Sequence, residues 1–98
     1  MAQTKAIALL EVQAMVTAIV GLDAMIKAAD VKLIHVEKRL GGRLVTVVVE
    51  GSVSAVEAAA EAGKAAAEQI GDVKLCEVIP RPHESIMKFL KTDPEEAV

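Results

Sequence analysis

Ninety-eight residues make one domain with room for a modest hydrophobic core. Of these, 53% are hydrophobic but only 1% aromatic, so a core of Ala, Val, Ile and Leu packs closely yet buries little area per residue, and burial against other copies of the chain would add to it. A net charge of −3 gives no general attraction to nucleic acid or anionic membranes, and the lack of aromatics removes the stacking platforms that single-strand binders use. The chain starts with no secretory pattern and carries no apolar run of membrane length, so a cytosolic location is expected. Cys76 is the only cysteine, which rules out an internal disulfide and makes a small buried hydrophobe the expectation for it.

Lys5 to Glu11 alternates weakly, with Ile7 and Leu9 on one side and Ala6, Ala8 and Leu10 on the other. Both sides are apolar, so an interior strand is expected. From Ala14 to Ala29 the period becomes helical. Met15, Ala18, Ile19, Leu22, Ile26 and Ala29 form the stripe expected on the sheet, with Thr17, Asp23 and Lys27 turned away from it. Val16 and Val20 leave an apolar flank, which suits a subunit contact. Val31 to Lys38 reads as a half-wet strand alternating Val31, Leu33, His35 and Glu37 against Lys32, Ile34, Val36 and Lys38. It runs into Gly41-Gly42, flanked by Arg39 and Arg43. Paired glycines allow a tight turn with positive φ. Leu44 to Val49, LVTVVV, is then a β-branched run expected mid-sheet with both faces covered.

Ser52 is a candidate N-cap for an alanine-dominated helix over 54–70. Val53, Val56, Ala60, Gly63, Ala67 and Ile70 can share its inner face. Gly63 costs about 1 kcal/mol against Ala inside a helix, so close packing is its expected reason. Gly71 ends that helix. Asp72 to Ile79 is a fourth strand, with Lys74, Cys76 and Val78 on one face and Val73, Leu75, Glu77 and Ile79 on the other. The stiff turn Pro80-Arg81-Pro82-His83 follows and holds Arg81 in a set direction. Glu84 to Lys91 suits a short helix with Ile86, Met87, Phe89 and Leu90 as its apolar side, and residues 93–98 form an acidic tail expected to be flexible. The order βαββαβ is that of an α+β, ferredoxin-like, four-stranded antiparallel sheet with helices on one face, here with a short C-terminal helix added.

No catalytic set emerges. No Cys–His pair, Ser–His–Asp arrangement or pair of carboxylates is forced into one pocket. The glycine pair precedes a strand, whereas phosphate-binding and dinucleotide loops open a helix. His35 has no second ligand at metal spacing, so an ordinary strand histidine is expected, and no cofactor or metal is implied.

Taken together, Ala8-Leu9-Leu10-Glu11, the run from Asp23 to Asp30, Leu44-Val45-Thr46-Val47, Gly51, the alanine helix closed by Gly71, and Val78-Ile79-Pro80-Arg81-Pro82-His83 resemble the single-domain, hexamer-forming shell proteins of bacterial microcompartments. That family includes carboxysome and propanediol-utilisation shell subunits. The resemblance spans Ala6 to Glu84 and implies one shell domain over residues 1–92. It also implies six copies in a flat disc, discs tiling into a layer around enzymes in the cytoplasm, and no catalytic role. Partners would be the chain itself, other shell proteins, the enclosed enzymes, and small polar metabolites crossing a central pore. On this chain the pore loop would be Arg39, Leu40, Gly41, Gly42 and Arg43. The edge between hexamers would use Lys27, Asp30 and Arg81, with His83 beside them. The family loop is ordinarily Lys-Ile-Gly-Ser-Gly. Here Lys38 to Arg43 departs from it, and the small hydroxyl at the rim is missing. The competing reading is an oligomeric ferredoxin-like domain that senses a small ligand between subunits.

Overall fold

A computed structural model describes residues 5–91 of the chain. The elements run β1 (Ala6–Val12), α1 (Met15–Ala28), β2 (Lys32–Arg39), a three-residue turn Leu40–Gly42, β3 (Leu44–Gly51), α2 (Val53–Glu68), β4 (Val73–Ile79) and α3 (Glu84–Lys91). The strands form one antiparallel sheet in the order β2-β3-β1-β4. The two strands with the most continuous apolar runs, β1 and β3, therefore take the central positions, where both faces can be covered.

The first face of the sheet carries Ala8, Leu10 and Val12 from β1 and Val45, Val47 and Val49 from β3, all buried beneath α1 and α2. The opposite face carries Ile7 and Val48, which pack with Leu90 of α3 and, at the margins, with Leu9, Ile34 and Met87. Thr46 lies on this second face too, where its hydroxyl donates to Glu11 Oε2 at 2.9 Å. The molecule is a thin slab with principal extents of 41 × 34 × 17 Å.

Close approach of α1 to α2 decides which side of α1 faces inward. A Cβ on Gly63 would stand 2.5 Å from Met25 Cγ and 3.2 Å from the Gly21 carbonyl, and one on Gly21 would stand 2.5 Å from Leu10 Cδ2. The glycines thus meet across the helix pair, as close packing at Gly63 requires. This contact corrects the stripe expected for α1. Thr17, Ala18, Gly21 and Met25 are buried, while Ile19 and Ile26 are 58% and 48% exposed. Thr17 is tucked against the turn after α2, where a Cβ on Gly71 would lie 2.8 Å from its hydroxyl. In α2 the inner face is Val56, Ala59, Ala60, Gly63 and Ala67, and Val53 and Ile70 at its two ends are exposed. Ser52 caps this helix as expected, its Oγ accepting from the Ala55 N–H at 3.1 Å.

Two irregularities break the simple alternation in the outer strands. The register of β2 against β3 shifts between Leu33 and His35, so Ile34 and His35 both reach the α3 side. The register of β4 against β1 shifts between Glu11 and Val12, and Val73 joins the core under the helices, not the face of Leu75.

Candidate functional site: a loop at one end of the sheet and a charged rim at the other

The register places the two residue sets at opposite ends of the sheet. Arg39 pairs with Leu44 where β2 turns into β3, so the glycine loop caps one end. At the other end Lys32 pairs with Glu50, Ala6 with Gly51 and Ile7 with Ile79. That end therefore gathers the α1–β2 turn, carrying Asp30, and the β4–α3 turn, carrying Arg81 and His83. A strand rising ~3.4 Å per residue separates the two ends by roughly 25 Å over eight residues.

At the loop, Leu40, Gly41 and Gly42 have φ of 55°, 65° and 88°. Two glycines take that left-handed turn freely, and a Cβ on either would meet nothing within 4 Å. Leu40 takes it at a cost of ~1–2 kcal/mol for an L-residue, and its side chain is 68% exposed. What holds it is Arg43, whose backbone N–H and side-chain Nε both donate to the Leu40 carbonyl, at 3.3 and 3.2 Å. Arg39 is drawn back along β2, its Nε 3.8 Å from Glu37 Oε2. Both arginines thus stay at the loop while their guanidinium groups fold towards the chain.

Glu37 connects the loop to α3. Its Oε1 lies 3.1 Å from His35 Nε2, and His35 Nδ1 lies 2.9 Å from the Leu90 carbonyl. Both partners of the ring are acceptors, so only the doubly protonated imidazole makes the two bonds at once. His35 is a structural pin between β2 and α3. Nothing in the sequence near position 35 points to the carbonyl at position 90. Among the described residues no group of three or more metal-ligating side chains comes together.

At the far end, Lys27 sits in the last turn of α1, where a cation suits the helix dipole. Its Nζ is 2.8 Å from Asp23 Oδ2 one turn back, and both side chains are more than half exposed. Asp30 and Arg81 are exposed, and Pro82 is buried behind Arg81. His83 has a local task that sequence reading missed. Its carbonyl accepts from the N–H groups of Ile86 and Met87, and its Nδ1 accepts from Ser85 N at 3.0 Å, so it caps α3.

Cys76 is half-buried against α2, its thiol donating to the Ala60 carbonyl at 3.6 Å. Burial pushes the thiol above its ordinary value. Lys64 opposes that rise, and Glu77 and Glu68 add to it. An inert packing residue is the role this environment fits.

The domain is thus a four-stranded slab with a glycine hairpin at one end of its sheet and exposed charged turns at the other. Residues 6–82 match the BMC domain, and the chain belongs to this family of bacterial microcompartment shell proteins. It is 48% identical over 88 residues to the bacterial microcompartment shell protein PduA of Citrobacter freundii, covering 90% of this chain and 94% of that protein. To the shell protein EutM of Escherichia coli K12 it is 48% identical over 79 residues, covering 81% of this chain and 80% of the other. It also resembles a crystal structure of a microcompartment protein from Desulfitobacterium hafniense, with a TM-score of 0.79 and 29% identity over 91% of this chain and 48% of that one. The protein is structural and not an enzyme: a shell component that assembles with other shell proteins. Hexamers and a central pore are typical of its family.

Proposed function

We propose that the chain forms a hexameric tile in which Arg39, Leu40, Gly41, Gly42 and Arg43 line the pore on the sixfold axis and Lys27, Asp30 and Arg81 meet the next hexamer. Residues 1–92 act as one shell domain, and the tile encloses enzymes in the cytoplasm and passes small polar metabolites. The observation that carries this reading is the separation of the two sets to opposite ends of one sheet. A subunit in a ring presents one end to the axis and the other to the rim.

Within that arrangement the pore is positively biased without being a ring of bare guanidinium groups. Six copies of Arg39 and Arg43 surround the axis. Neighbouring unit charges at about 8 Å repel by roughly 0.5 kcal/mol in water, and by more where water is excluded. Pairing Arg39 with Glu37 and folding Arg43 onto Leu40 relieve that repulsion. The axis is left to Leu40 and glycine backbone. His83, engaged in capping α3, supports the rim by fixing the turn that carries Arg81. The residues 93–98, expected to be a flexible acidic tail, lie outside the described part of the chain.

A crystal structure of the assembled protein tests the reading directly. The expected result is six copies of the 39–43 loop around one axis, with Lys27 at the contact between discs. A ring with that loop on its outer circumference would overturn it.

A further inference from the structure

Glu50 closes β3 at the rim end of the sheet, and its side chain is only 5% exposed. A carboxylate buried that far needs its lone pairs filled. Lys5 Nζ lies 3.9 Å from Oε1 and Lys91 Nζ lies 3.3 Å from Oε2, the latter at an angle that makes an ion pair but no hydrogen bond. Oε2 is therefore a buried acceptor with no hydrogen-bond donor among the described residues. Lys32 stands opposite Glu50 in the β2–β3 register.

The carboxylate lies between two adjoining clefts. The larger, about 380 Å³, has Lys5, Asp30, Lys32, Gly51 and Ser52 in its walls, and the smaller, about 280 Å³, has Lys32 and Lys91. Lys5 and Lys91 are each more than half exposed, so their stems can swing aside and leave their ammonium groups at the mouth. Among the described residues three cations face two carboxylates, Glu50 and Asp30, an excess of one positive charge. A simple anion would satisfy that charge but would face Glu50 with nothing to donate. A free amine would satisfy Glu50 but would add to the excess charge.

We infer that this cleft is a binding site for a small 2-hydroxycarboxylate, its carboxylate held by Lys32 and Lys5 and its hydroxyl donating to Glu50. The site is built within one subunit at the end of the sheet away from the pore loop, and it shares only Asp30 with the proposed edge between hexamers.

The probes are glycolate and acetate, which differ by the hydroxyl alone. Each is titrated against the full-length protein and followed by ligand line broadening in NMR, a readout that tolerates large assemblies. Glycolate is expected to bind about tenfold tighter than acetate, the factor that one charge-assisted hydrogen bond supplies. Glu50→Gln removes the negative charge that acetate must face, so acetate should rise to within about threefold of glycolate. Lys32→Gln, at an exposed position that leaves the core untouched, should weaken both ligands several-fold. Equal binding of glycolate and acetate by the unaltered protein, or binding indifferent to Lys32, would overturn the inference. So would an assembled structure in which a neighbouring copy fills the cleft and donates to Glu50.

Discussion

Glycine and cysteine positions carry the sharpest residue-scale expectations. Gly63→Ala gains helix propensity of ~1 kcal/mol but forces a methyl to within 2.5 Å of Met25 Cγ, with the Gly21 carbonyl at 3.2 Å behind it. Overpacking of that kind costs ~1–3 kcal/mol, which offsets or exceeds the gain. The variant should therefore melt no higher than the parent and up to several degrees lower, and a calorimetric scan showing a clear rise would remove Gly63 from the helix contact. Cys76 makes a pH prediction. Its thiol is raised in the fold, so the folded state keeps a proton that the unfolded chain loses, and stability is intact below the ordinary thiol value of 9.0 and falls as pH climbs above it. Cys76→Val should flatten that alkaline slope in unfolding curves recorded at rising pH, whereas an unchanged slope would locate the sensitivity elsewhere. Gly63 was legible in the sequence because a glycine amid alanines has few other reasons to be there. The partner role of Gly21 was not. A stripe drawn from bulky side chains overlooks the position where two backbones approach, and for that reason Ile19 and Ile26 were expected inside and lie outside.

Among the elements, α3 is the one whose attachment is thinnest. Eight residues are too few to hold a helix in water unaided, so tertiary contacts hold it. These are Leu90 against Ile7 and Val48, Met87 at the edge, and the His35 bond to the Leu90 carbonyl. Leu90→Ala, which empties a buried site, and His35→Ala, which removes the pin, should both speed amide exchange across Glu84 to Lys91 while β1 and β3 keep their protection. If exchange rises equally throughout the sheet, α3 is part of the main cooperative unit. The helix bounds were readable from the amphipathic run between Pro82 and the acidic tail, but only half of the expected apolar side is inward, because Ile86 and Phe89 remain exposed. The central places of β1 and β3 were readable as well, since unbroken apolar runs belong in the middle of a sheet. The shifts at Leu33/His35 and Glu11/Val12 were not, as a bulge depends on the partner strand and leaves no mark on the composition of its own.

For the whole molecule, the small core and the exposed Val16, Ile19, Val20 and Ile26 on α1 leave an apolar flank that a lone subunit would keep in water. Light scattering should find a hexamer at micromolar concentration, and a stable monomer of 10.3 kDa would end the tile reading. The proposed edge residues stood out only through their joint occurrence with the glycine loop, because a lysine at a helix end and an arginine between prolines are each ordinary surface features. Lys27 carries the last test. Its pairing with Asp23 is exposed, and such pairs are worth only ~0–1 kcal/mol, so the side chain can leave Asp23 for a neighbouring disc at little cost. Its long stem can lie along that neighbour while the ammonium reaches an acceptor. One such contact is weak, yet in the proposed tile a disc with six edges would repeat it, and the repeated contact would hold a layer together through multivalency. Lys27→Asp removes the cation, sets a carboxylate beside Asp23 and Asp30, and repeats that repulsion at every edge. Since Lys27 faces away from the core, the variant should stay a folded hexamer and lose its sheets and tubes under the electron microscope. Ordered sheets from the variant would show that the edge lies elsewhere, and dissociation to monomers would move Lys27 to the contact within the ring.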